Sequence, residues 1–142
     1  MGRWIGIDYG GARTGLAYTD AAALLAFPHK TVPTDALPDE LDLLIRSEPC
    51  AGIALGIPNA WGLQVGKGLT DSSAAILAFK ASLEKRYPHL EIALVDETNT
   101  SEEALHASIR AGMKKSKRSK KGAVDDVAAT LILQRFLEAR SR

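Results

Sequence analysis

Arg3-Trp4-Ile5-Gly6-Ile7-Asp8-Tyr9-Gly10-Gly11-Ala12-Arg13-Thr14-Gly15-Leu16-Ala17-Tyr18-Thr19 reads as two strands around a glycine turn. Arg3 to Asp8 is a short run rich in strand formers that closes on Tyr9-Gly10-Gly11, and Thr14 to Thr19 is a second apolar run directly after it. The chain is therefore expected to open with an antiparallel hairpin, which excludes a purely parallel sheet. A further short strand is read near Phe27 to Val32.

Downstream, helical and extended patterns alternate. Thr34 to Glu48 opens with a Thr-Asp capping signal and carries Leu37, Leu41, Leu44 and Ile45 at helical spacing, with Pro38 tolerated only in the first turn. Ala51 to Ile57 is continuously apolar, as a strand buried on both faces requires. Asn59 to Gly68 reads as a loop at the C-terminal end of that strand, where α/β sheets usually place their sites. A second helix is predicted over Leu69 to Tyr87 from Ala75, Leu77, Ala78, Ala81 and Leu83, and a strand over Glu91 to Val95. A third helix is predicted from Thr100-Ser101 to Gly112. The last carries Val124, Val127, Ala128, Leu131, Ile132 and Phe136 on one face. The expected architecture is α/β: one domain over residues 1–142, with a mixed sheet flanked by helices on both faces.

Composition bounds the function. The chain has 142 residues, 46% hydrophobic and 25% charged, enough for one packed core without disulfides. Cys50 is the only cysteine and reads as a small buried hydrophobe in a reducing compartment. No stretch approaches the roughly 20 apolar residues of a membrane span, and Arg3 and Asp8 interrupt any signal-peptide core. A soluble, cytoplasmic protein is expected. Net charge is only +1, but it is unevenly spread. Lys114, Lys115, Lys117, Arg118, Lys120 and Lys121 crowd into one segment, leaving 12 basic residues against 17 acids elsewhere. A flexible basic loop at about 113–122 on an acidic body makes sense as a grip on a polyanion, although such a run can also be a solvated linker.

Three acids occupy unfavourable places. Asp8 ends a buried strand, Glu97 directly follows another, and Asp125 lies in the first turn of the apolar final helix. Neighbouring strand ends with a helix across them can bring such groups together, and their repulsion then calls for a hard cation such as Mg²⁺. Each acid also has an ordinary explanation. Asp8 can bond the glycine turn, Glu97 can be an exposed strand end, and Asp125 can cap its helix, in competition with Asp126. His29, His89 and His106 stand in unrelated contexts, with no zinc spacing and no nucleophile triad.

Four segments resemble one family in order. Ile5 to Ala17 resembles the opening motif of the YqgF/RuvX family, the Holliday-junction-resolvase-like nucleases of ribonuclease H fold. Ala54-Leu55-Gly56-Ile57-Pro58 with Gly62 and Gly66 resembles its second motif, Val95-Asp96-Glu97-Thr98-Asn99-Thr100-Ser101 its third, and Lys121 to Ala129 with Leu131 to Gln134 its fourth. The resemblance implies that Asp8, Glu97 and Asp125 are catalytic carboxylates binding Mg²⁺ or Mn²⁺, and that Arg13 touches phosphate. It also implies a nuclease maturing the 5′ end of precursor 16S ribosomal RNA, or resolving Holliday junctions. The sequence departs from the family at Thr98, where an Arg is usual, at the less polar Asn59-Ala60-Trp61-Gly62, and at Asp126. A non-catalytic nucleic-acid-binding module is the competing class. A nucleotide-phosphate enzyme of the actin and sugar-kinase fold would need two such domains.

Overall fold

The computed structural model describes residues 2–58, 71–96 and 125–140. Strands β1 (Arg3–Asp8), β2 (Arg13–Thr19) and β3 (Ala26–Pro33) lead through a 3-10 turn (Thr34–Ala36) into helix α1 (Leu37–Ser47). Strand β4 (Cys50–Ile57), helix α2 (Asp71–Arg86), strand β5 (Glu91–Asp96) and helix α3 (Asp125–Arg140) follow. The five strands form one mixed sheet in the order β3-β2-β1-β4-β5, with β1–β2 and β2–β3 antiparallel and β1–β4 and β4–β5 parallel.

The register sorts side chains into rows. On one face lie Tyr18, Ile5, Ile53 and Ile92, then Leu16, Ile7, Leu55 and Leu94. Most of these join Leu37, Leu41 and Leu44 of α1 and Ile76 and Leu83 of α2 in the larger core. Burying each such aliphatic side chain contributes roughly 1.5–3 kcal/mol. The other face is lined by small residues, Ala17, Gly6, Ala54 and Ala93 in one row. There α3 sits directly on the sheet through Ala129, Ile132 and Leu133. A Cβ on Gly6 would lie 2.8 Å from the Ala129 carbonyl oxygen and 2.9 Å from Leu133 Cβ, so only glycine permits this approach.

Several expectations need adjustment. Thr34 caps nothing, because it is the first residue inside the 3-10 turn with Pro33 at the N-cap, and its hydroxyl bonds across the fold to the Gly10 carbonyl oxygen. Pro38 falls at the start of α1 as expected. In α2 the helical period holds but the face is rotated. Ala75, Ala78 and Ala81 are exposed, while Ser73, Ile76 and Leu83 are buried. Alanine is small enough to serve either face, so its spacing did not identify the buried one. Strands β3, β4 and β5 each run a residue or so beyond their expected ends, and β4 takes in a half-buried Cys50. The expected loop Asn59 to Gly68 and the third helix over Thr100 to Gly112 lie outside the described residues.

Candidate active site

All three parallel strands end on the same side of the sheet, and Asp8 is the last residue of β1, the middle strand of the five. Alternation along β1 puts Asp8 on the face of Trp4 and Gly6, the face that carries α3. Asp8 pairs with Gly15 on β2, and one residue beyond the Ile7–Leu55 pair it is level with Gly56, which pairs with Val95. Half-buried Asp8 thus has a glycine on each side in its cross-strand row.

Helix α3 runs antiparallel to β1. The Phe136 ring packs on Trp4 at 4.3 Å between centroids, and Ala129 and Leu133 sit over Gly6. One turn back from Ala129 is Asp125, the first residue of α3, roughly 6 Å further along the axis. Two residues beyond Gly6 is Asp8, about 6.6 Å along the strand. The helix therefore starts at the end of the sheet where Asp8 stands. Arg135 ties α3 to β5 by donating to the Asp96 carbonyl oxygen at 2.8 Å, at the last described residue before Glu97.

Arg13 opens β2 and, by the same alternation that places Gly15 and Ala17 against α3, shares the face of Asp8. The turn between them is closed by its own atoms and by Thr34. The Thr34 amide donates to the Ala12 carbonyl oxygen at 3.0 Å, and a Cβ on Gly10 would fall 2.2 Å from the Arg13 carbonyl oxygen. On the far side of the turn Tyr9 stacks on Phe79 of α2 at 4.4 Å.

Of the residues singled out from the sequence, Asp8 and Arg13 are brought to one rim. Asp125 is placed there by its backbone, while its side chain and that of Asp126 lie outside the described residues. So do Glu97, Thr98, Trp61 and His106, and all of Lys114, Lys115, Lys117, Arg118, Lys120 and Lys121. Among the described residues no group of three or more His, Cys, Asp or Glu is placed to hold a metal ion. His29 and Cys50 are occupied elsewhere. His29 Nε2 is 3.0 Å from Glu40 of α1, and the Cys50 thiol contacts the Gly52 carbonyl oxygen at 3.5 Å, with burial pushing its pKa up. His89 is exposed, before β5. What the described residues present at this end is the Asp8 carboxylate, an oxygen donor of the kind hard divalent cations take.

Sequence reading missed the glycines beside Asp8. Gly15 and Gly56 are isolated glycines inside apolar strands, a signal of close approach, but their relation to Asp8 depends on cross-strand register. The larger clefts among the described residues lie elsewhere, one of about 320 Å³ between α1 and α2, and one of about 560 Å³ beside Arg3 and Tyr18.

An antiparallel meander that runs into two parallel strands, with helices on both faces and an acid ending the central strand, defines a protein of the ribonuclease H-like class. A sequence model of the RuvX family, described as Holliday junction resolvase, matches residues 2–139, and the chain belongs to that family. A relative from Bacteroides thetaiotaomicron is 38% identical over 140 residues, covering 99% of each chain. One from Porphyromonas gingivalis is 37% identical over 142 residues, the whole of both chains. A third, from Flavobacterium johnsoniae, is 31% identical over 140 residues and 99% of each. All three are named "Putative pre-16S rRNA nuclease".

Proposed function

We propose that this protein is a divalent-metal-dependent nuclease that hydrolyses phosphodiester bonds in 5′-end maturation of precursor 16S ribosomal RNA. The observation that carries this reading is the half-buried Asp8 carboxylate, between two glycines and beneath the start of α3. Names of full-length relatives support the substrate. In this reading Asp8, Glu97 and Asp125 together hold Mg²⁺ or Mn²⁺. Such an ion, when bound, lowers the pKa of a coordinated water and offsets charge on phosphate oxygens.

The chain's own residues do the rest. The central strand fixes the Asp8 backbone through its pairing with β2, and so fixes where the carboxylate starts from. Arg13, on the same face, contacts a phosphate of the substrate and keeps the strand against the carboxylates. The segment with Lys114, Lys115, Lys117, Arg118, Lys120 and Lys121 precedes α3 in the sequence and supplies sequence-independent, salt-sensitive affinity. The 142 residues act as a single cytoplasmic nuclease domain. No helix among the described residues is long and apolar enough to cross a membrane.

The family's description favours one second reading, Holliday junction resolution. Resolution of a four-way junction calls for two sites on opposed strands, hence a symmetric dimer. Cleavage of precursor rRNA and of a four-way junction should be measured side by side for wild type and Asp8→Asn. Mn²⁺-dependent cleavage of the RNA alone, lost in Asp8→Asn, supports rRNA maturation, and cleavage of the junction alone overturns it. Binding without cleavage, unchanged in Asp8→Asn, identifies a non-catalytic module instead.

A further inference from the structure

The turn between Asp8 and Arg13 is held by hydroxyls that no catalytic role accounts for. Thr34 Oγ1 donates to the Gly10 carbonyl oxygen at 2.6 Å, which commits its only proton. Thr14 Oγ1 lies 2.9 Å from Thr34 Oγ1, so in that pair Thr14 must be the donor. Thr14 Oγ1 in turn accepts from the Gly10 amide at 3.4 Å. The three contacts close a ring, from Gly10 N–H to Thr14, from Thr14 to Thr34, and from Thr34 back to Gly10 C=O. Thr14 is fully buried, on the sheet face opposite α3. Each hydroxyl donates once and accepts once, so rotating either one breaks two contacts.

We propose that Thr14 and Thr34 are positioning residues for the active site, a clasp behind the sheet that holds Gly10 at both its amide and its carbonyl. This inference rests on the nuclease reading above. Asp8 lies two residues before the clamped glycine and Arg13 three residues after it. Fixing Gly10 therefore fixes both ends of the turn, with neither threonine on the face where the substrate would lie. A turn that drifts by about 1 Å would misplace the carboxylate, and displacements of that size cost up to about a hundredfold in rate. No capping role competes for the Thr34 hydroxyl: the N-cap of the 3-10 turn is Pro33 and that of α1 is Ala36, and neither helical segment receives a side-chain cap.

The experiment compares full-length wild type, Thr34→Val, Thr34→Ser and Thr14→Val. It reads kcat at saturating precursor rRNA, the Mn²⁺ dissociation constant without substrate, and the melting temperature. Thr34→Val keeps the shape and removes the hydroxyl; about a tenfold loss in kcat and a severalfold weaker Mn²⁺ affinity are expected. Thr34→Ser should return both to within twofold of wild type, and Thr14→Val should resemble Thr34→Val. A merely structural hydroxyl would lower the melting temperature while folded Thr34→Val kept wild-type kcat and Mn²⁺ affinity, and that result overturns the proposal. Should wild type bind Mn²⁺ but cleave neither RNA nor junction, the proposed function fails by itself. The Mn²⁺ affinities of wild type and the valine variants then decide the clasp. Wild type that binds no Mn²⁺ overturns both.

Discussion

Gly6→Ala tests the seat on which α3, and with it Asp125, depends. The added methyl would meet the Ala129 carbonyl oxygen at 2.8 Å and Leu133 Cβ at 2.9 Å. Ordinary carbon contacts begin near 3.5 Å, so the helix must lift by roughly 0.6 Å or more. One of the two close atoms is backbone, and therefore no trimming of Leu133 relieves it. Overpacking of this kind typically costs about 1–3 kcal/mol. For a chain of this length that is a fall in melting temperature of roughly 3–12 °C. Thermal unfolding followed by circular dichroism reads it. Gly11→Ala is the internal control, because a Cβ there has nothing within 4 Å. That variant should match wild type or gain up to about 1 kcal/mol from a stiffer unfolded chain. Lifting α3 also moves its first turn away from Asp8, so Gly6→Ala should lose nuclease activity beyond what its unfolded fraction explains. A Gly6→Ala protein as stable as Gly11→Ala would refute the direct seating of α3 on β1.

Asp8→Asn should lose at least about a hundredfold in cleavage while melting within a few degrees of wild type, since amide and carboxylate are nearly isosteric; equal activity in a Mn²⁺ assay would remove Asp8 from the chemistry. Glu40 accepts from His29 and Lys30, and the His29 hydrogen bond above all holds its pKa below the ordinary 4.5. Its contribution to stability is therefore fully present above about pH 4.5 and lost as pH falls through the lower folded value. Melting curves between pH 6 and 3 should show an acid loss that Glu40→Gln reduces. Burial pushes the Cys50 thiol pKa up, so a thiol reagent at pH 8 should label it slowly in the native protein and rapidly in denaturant. Replacing Lys114, Lys115, Lys117 and Arg118 by Ala should flatten the salt dependence of single-stranded RNA binding, by about 0.7 in log–log slope for each phosphate contact removed; an unchanged slope would make the segment a bystander.

Local patterns carried most of the fold. Glycines after Asp8 end β1, a second apolar run marks β2, and the apolar run through Ile57 marks β4, because apolar runs and turn chemistry are properties of neighbouring residues. The same logic located the final helix and singled out Asp8 as a carboxylate in a costly place. Failures came where one residue type fits two environments. Ala75, Ala78 and Ala81 suit either face of α2, and Thr34 has the side chain of a cap but spends its hydroxyl on a glycine 24 residues away.

What tertiary structure alone decided is which distant residues become neighbours. Sequence order cannot reveal that β1 lies between β2 and β4, nor that register sets Asp8 between Gly15 and Gly56 and lines up Ala17, Gly6, Ala54 and Ala93 beneath α3. Those relations depend on strand pairing over tens of residues, and a slip of one residue would turn every side chain to the other face. The chain by itself determined which residue types were available for the chemistry, and long-range pairing decided where they stand.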